Sequence, residues 1–237
     1  MNKFNIQDSQ YQKPYHQFMS FNPFKVSEFY YDALSYFGYV STAISFIKGE
    51  SVAEVGCGDG KILKELAMKY PEKYFEGFDL SSKSILFAKA FGHYQNLKFY
   101  DTDFSLGEDL YDTILCIETL EHISDEDTPS FVHSLYKRLK SGGRLIITVP
   151  SNNLKLISKH YRHYDTDILA KSLKQFTSIN YLYIDSKKSF WLKKLLANRF
   201  FILNNQTLLN MILKFYKKRY MYASPKNCAH IIGVFEK

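Results

Sequence analysis

Three cysteines in 237 residues, none in a C-x-x-C pair, give no disulfide framework and point to a reducing compartment. Long apolar runs are missing too. The longest nearly apolar stretch, Ser35 to Ile47, is too short to cross a bilayer, and no basic-then-apolar leader pattern opens the chain. The expectation is a cytoplasmic protein. No internal repeat and no low-complexity linker divides the sequence, so it reads as one domain. Two phosphate-binding signatures are also absent. G-x-x-x-x-G-K-[ST] does not occur, and the dinucleotide fingerprint G-x-G-x-x-G is broken because its third glycine comes one residue early. Acidic residues are scarce at one end. Residues 151–237 hold 16 Lys+Arg against 4 Asp+Glu, net +12, while the remainder holds 15 basic and 20 acidic residues, net −5. Such a split suits a nucleic acid, a membrane surface or a phosphate-bearing ligand, the bland alternative being a solvated basic face.

What is present is organised around Ser51-Val52-Ala53-Glu54-Val55-Gly56-Cys57-Gly58-Asp59-Gly60. A short apolar strand runs into a glycine-rich turn, and a helix follows with Ile62, Leu63, Leu66, Ala67 and Tyr70 at helical spacing. Glycine removes the Cβ obstacle and the first helical N–H groups lack partners, so a ligand can approach the backbone closely. Asp79 closes the next strand, Phe75-Glu-Gly-Phe-Asp79, 19 residues after Gly60, where an α/β sheet places a carboxylate for ribose hydroxyls.

Strand and helix then alternate, as in a parallel sheet. Tyr74–Asp79 reads as a strand, and Ser81-Ser82 as the cap of a helix stopping at Gly92. Leu97–Tyr100 and Tyr111–Ile117 read as buried strands. A helix is expected over Asp127–Leu139 with Ser141-Gly-Gly143 as its terminator, then a strand Arg144–Val149. A helix Asp165–Leu173, a strand near Ser178–Ile184, a basic and aromatic helical insertion at 187–224 and a closing strand Ala229–Phe235 complete the order. Upstream, Val26–Ile47 reads as one or two amphipathic helices, and residues 1–24 as a frayed tail or a flap.

Glu54-Val-Gly-Cys-Gly-Asp-Gly60 resembles the first motif of class I S-adenosylmethionine-dependent methyltransferases. Leu139-Lys-Ser-Gly-Gly-Arg-Leu-Ile-Ile-Thr-Val-Pro150 resembles their last shared motif, and the likeness covers roughly residues 45–185. It implies an α/β, doubly wound, mostly parallel seven-stranded sheet of the Rossmann-like methyltransferase type. The N-terminal flap and helices (1–48) would precede a cofactor-binding core (49–186), with the helical cap (187–224) inserted before the last strand (225–237). It implies S-adenosyl-L-methionine as cofactor, contacted by Glu54, Gly56, Cys57, Gly58, Gly60, Asp79, Leu80, Ser81, Asp103, Phe104 and Glu118. Asp103 would bond the adenine amine, and Leu80 and Phe104 would pack on the ring.

A methyl acceptor with a hydroxyl needs a base, and an imidazole titrates near neutrality. His122, just after the fourth strand, is the first candidate, with Glu121 orienting it. His160 and His163, after the fifth, come second. A structural histidine capping a loop is the plain alternative for His122. Glu118-x-x-Glu121-His122 followed later by a histidine is similar to the divalent-ion motif of bacterial small-RNA 2′-O-methyltransferases. It looks equally like ubiquinone-pathway O-methyltransferases and relatives acting on sugars or lipids, and no metal ligand is assigned. The end of the chain, Tyr220-Met-Tyr-Ala-Ser-Pro and His230 to Lys237, resembles surface-glycan and lipid-linked-sugar methyltransferases. A small-molecule, sugar or lipid-linked acceptor therefore ranks first, with peripheral membrane or anionic contact through the basic region. An RNA acceptor ranks below it, and a cofactor-binding scaffold without activity last.

Overall fold

The computed structural model describes residues 8–18, 32–196 and 206–237. The aromatic positions 21 and 24, the start of the expected helix at Val26 and the apolar run 200–203 lie outside the described residues. In chain order the elements are α1 (Tyr15–Phe18), α2 (Ala33–Ile44), β1 (Ser51–Val55), α3 (Lys61–Lys69), β2 (Tyr74–Phe78), α4 (Ser82–Phe91) and β3 (Leu97–Tyr100). After them come β4 (Tyr111–Ile117), α5 (Thr128–Lys137), β5 (Leu139–Pro150), α6 (Thr166–Ser172), β6 (Thr177–Ser186), α7 (Phe190–Leu196), α8 (Gln206–Arg219) and β7 (Cys228–Glu236).

The strands form one seven-stranded sheet in the order β3-β2-β1-β4-β5-β7-β6. β1 to β5 pair in parallel, and β7 runs antiparallel to both β5 and β6. Alternate residues of each strand serve opposite faces. Leu115, Ile117 and Ile146 pack with α2, α3 and α4, through Val40, Leu63 and Ile85 among others. Ile114, Cys116, Leu145 and Ile147 pack with Val132 and Leu135 of α5 and Leu169 of α6. Burial on both faces explains why the strands read as near-continuous apolar runs. The carboxyl ends of β1, β2, β4 and β5 emerge at one edge, beside the point where the strand order reverses. An open α/β sheet has its ligand crevice there.

One expected boundary moves. The fifth helix stops at Lys137 rather than Leu139, and the sheet takes over at Leu139, so residues 141–143 lie within β5. Arg138 explains the early stop. Its guanidinium is buried, donates to the Phe104 carbonyl at 2.7 Å and the Tyr111 hydroxyl at 3.0 Å, and lies 4.1 Å from the Phe104 ring centroid. Tertiary contacts of a single side chain thus override helix propensity.

Candidate active site

β1 delivers the chain into the glycine turn, where Gly56, Gly58 and Gly60 have φ of 76°, 54° and 74°. These left-handed values exclude most side chains, and a Cβ on Gly56 would overlap Thr119. Asp79 braces the turn. Its Oδ2 accepts from the Gly58 N–H and its Oδ1 from the Ser81 N–H, both at 2.9 Å. Burial pushes the Asp79 carboxyl up, opposed by those two bonds. Ser81 in turn caps α4, its side chain accepting from the Ser84 N–H. Glu54 is 2% exposed, its Oε2 bonds no described residue, and burial with the Asp79 and Asp59 charges raises its pKa well above normal.

Residues 8–18 cover this turn. Asp59 Oδ2 accepts from the His16 N–H at 2.7 Å and the Gln17 N–H at 3.2 Å. Asp8 accepts from the Ser81 hydroxyl at 2.5 Å and from Lys83 at 2.6 Å, and these bonds hold its carboxyl below the usual range. The described part of the N-terminal segment therefore lies over the glycine turn.

A cavity of about 1080 Å³ opens over the turn, reaching from Glu54 and Asp79 past Asp103 to Glu118, His122 and His230. Leu80 exposes 59% of its surface at the rim, whereas Phe104 is buried among Phe78, Tyr111 and Arg138. Asp103 Oδ1 accepts from the Ser105 N–H at 2.8 Å, capping a single helical turn. The orphaned Glu54 oxygen, the carboxyl groups around it and the glycine-rich turn fit S-adenosyl-L-methionine, whose methionine part presents an ammonium and a sulfonium.

The imidazoles gather at the far end. Leu120–His122 forms one 3₁₀ turn after β4, and the loop after β5 is tied to it by the Tyr161 N–H donating to the Glu121 carbonyl at 2.8 Å. His122 Nδ1 faces the Lys159 carbonyl at 3.2 Å. A carbonyl only accepts, so Nδ1 carries a hydrogen and Nε2 is the nitrogen turned towards Glu121. His163 Nδ1 faces the Leu154 carbonyl at 3.2 Å, and its Nε2 accepts from His160 Nδ1 at 2.9 Å, which leaves the lone pair of His160 on Nε2. Burial, then the neighbouring His122, Lys159 and His163, push His160 down to about 3, so it stays neutral. Glu121 is 1% exposed, and burial with the Glu118 charge holds its carboxyl well above the usual range. Ligand atoms of Glu121, His122 and His160 lie within 4.8 Å of one another, a donor set able to hold a divalent ion.

Glu118 turns elsewhere. Its backbone is left-handed, φ 49°, and its Oε1 accepts from the Thr148 hydroxyl at 2.9 Å. Its Oε2 lies 3.2 Å from His230 Nδ1, and the Tyr39 ring covers His230 at 4.5 Å between centroids. Burial works against both charges of the pair. Their mutual attraction outweighs it, leaving Glu118 below and His230 above the ordinary values. The motif pairing of Glu118 with Glu121 and His122 therefore gives way to a cluster in which His160 takes the place of Glu118. Sequence reading gave no site role to His230, Tyr39, Tyr11 or His16, which the structure places along the cavity.

The methyltransferase-domain family matches residues 26–199. A ubiquinone biosynthesis O-methyltransferase of Haemophilus ducreyi is 30% identical over 129 residues, covering 50% of this chain and 53% of the relative. That of Alkalilimnicola ehrlichii is 27% identical over 127 residues, covering 49% and 48%. The chain thus spans about half the length of these curated relatives. Magnesium protoporphyrin IX methyltransferase of Synechocystis, solved with bound SAM, superposes with a TM-score of 0.59 at 16% identity, covering 100% of this chain and 98% of that one. An Archaeoglobus fulgidus SAM-dependent methyltransferase gives 0.59 at 14% identity, covering 86% and 94%. At such identities these structures speak for the fold alone. With a family match over most of its length and the strand order and glycine turn described above, the chain belongs to the class I S-adenosylmethionine-dependent methyltransferases.

Proposed function

We propose that this protein methylates an oxygen of a small-molecule, sugar or lipid-linked saccharide acceptor in the cavity between the glycine turn and the imidazole cluster. One observation carries the reading: ring nitrogens of His122 and His160 and the Glu121 carboxyl lie within 4.8 Å of one another in the cavity that the turn also lines. S-adenosyl-L-methionine, when bound, supplies an already activated sulfonium methyl, so the protein's share is alignment and proton removal. His122 Nε2 takes the acceptor proton, and the Lys159 carbonyl holds the resulting imidazolium through Nδ1–H. His160, kept neutral, adds no charge against that imidazolium. Glu121, 3.8 Å from His122 Nε2, orients that ring. Gly56 and Gly58 hold the left-handed turn that brings backbone to the methyl donor's side of the cavity, and the Glu54 and Asp79 carboxyls line it.

A second reading rests on the same cluster. Ligand atoms of one carboxyl and two imidazoles lie within 4.8 Å of one another there, as in a cation site. A divalent ion held by Glu121, His122 and His160 would polarise an acceptor oxygen. That is the property expected of the alternative, a metal-dependent RNA 2′-O-methyltransferase. Methyl transfer from labelled cofactor into fractionated extract separates the two. Label in a saccharide or lipid fraction, insensitive to ribonuclease, supports the first reading; label lost on ribonuclease treatment sinks it.

A further inference from the structure

Between β6 and β7, residues 187–224 contain nine Lys and Arg and not one Asp or Glu. In this segment α7 and α8 each turn one side inward. Leu209 and Tyr216 of α8 are buried against Leu34 and Phe37 of α2, with Leu192 of α7 packed alongside. Lys193 is buried and paired with Asp185, so it is committed to the interior.

The outward sides carry an unusual mixture. Trp191 is 74% exposed, Met211 64%, Phe215 48% and Phe190 41%. Lys194 Nζ sits 4.6 Å from the Phe190 ring centroid and 5.4 Å from that of Trp191. On α8, Met211, Lys214, Phe215 and Lys218 follow at three- and four-residue spacing and are all exposed, so they share one face. Large apolar groups beside lysines, with no acid in the whole segment, are what an anionic bilayer surface selects. Rings and thioether enter the headgroup–acyl boundary, while the ammonium groups stay with the phosphates. Nucleic acid would use the cations and stack on the rings but gives Met211 nothing to bury against. No helix among the described residues is long and apolar enough to cross a membrane, so the contact is peripheral.

We infer that the outer faces of α7 and α8 form a docking surface for anionic phospholipid, with Trp191 and Phe215 entering the interface and Lys194, Lys214 and Lys218 engaging headgroup phosphates. None of these residues lines the cavity, so the inference stands or falls separately from the methyl-transfer reading.

Trp191 is the single tryptophan of the chain, so its emission reports directly on this surface. The full-length protein is titrated with vesicles of neutral phosphatidylcholine, with and without about one-third phosphatidylglycerol. The expected result is a blue-shifted emission and co-sedimentation with the anionic vesicles alone, reversed by about 0.5 M salt. Lys214→Glu with Lys218→Glu should weaken vesicle binding at least about tenfold while S-adenosylhomocysteine still binds normally, which certifies the fold. Unchanged emission with anionic vesicles overturns the inference. So does equal binding to neutral vesicles, or tighter binding to single-stranded RNA at the same salt.

Discussion

The Tyr11 hydroxyl stands 2.5 Å from where a Cβ on Gly58 would lie, and Gly58 itself is left-handed at φ 54°. Any side chain there meets both backbone strain and the N-terminal segment. Gly58→Arg should abolish S-adenosylhomocysteine binding, seen as a loss of at least about a hundredfold in a calorimetric titration, while circular dichroism keeps its α/β signature. Normal cofactor binding by this variant would move the site away from the turn.

His163 touches the reaction only through His160, whose hydrogen it holds on Nδ1. His163→Ala frees that ring to flip and should lower methyl-transfer kcat about tenfold, with cofactor affinity unchanged. His163→Gln presents an amide oxygen in the same role and should recover most of the loss, which a purely structural role would not require. His122→Ala should cost more, about 10²–10⁴-fold in kcat. A His122→Ala enzyme with full activity removes it as the base.

The cluster also makes a statement about metal. If Glu121, His122 and His160 act as orienter, base and neutral lone pair, exhaustive chelation leaves turnover within about twofold of the untreated enzyme. Loss of activity restored by Mg²⁺ or Mn²⁺ but not by Ca²⁺ would instead favour the cation reading, since carboxylate and imidazole together suit those ions.

Much of this was legible in the residues because β1 and β4 are largely apolar runs bounded by turn chemistry, and the glycine turn has a spacing of its own. The end of α5 was not legible, because Arg138 reaches an aromatic pile assembled from β2, β4 and the Phe104 turn. His230 was invisible for a different reason. One imidazole in a nine-residue strand has no periodic signature, and its partner Glu118 faces it only because that residue adopts a left-handed backbone. The N-terminal segment was ambiguous because its anchors, Asp59 and Ser81, lie far along the chain.

The Glu118–His230 pair predicts a pH-dependent stability. His230 is raised in the fold, so its contribution is complete below the unfolded value of about 6.5 and drains away as pH climbs through the folded one. Glu118 is lowered, so its share is lost only in acid. His230→Gln should therefore be less stable than the natural chain by about 1–2 kcal/mol near pH ~6, with the gap closing at pH ~9. Calorimetric Tm differences across that range check it; a gap that widens with pH would mean the imidazole is neutral in the fold.

Asp185 carries the largest stability prediction. It is fully buried, left-handed at φ 61°, and accepts from Ser35 at 2.7 Å, Ser189 at 2.9 Å and Tyr216 at 3.2 Å while paired with Lys193. Its contacts join β6 to α2, α7 and α8, so one carboxylate fastens the helical cap to the sheet. Asp185→Ala strands a buried ammonium and three hydroxyls and should cost about 3–5 kcal/mol. For a chain of this length that is a fall in Tm of roughly 6–20 °C. The double variant Asp185→Ala, Lys193→Met removes the stranded charge and should regain part of the loss. If the double variant is no more stable than the single one, the hydroxyl bonds rather than the ion pair fasten the cap.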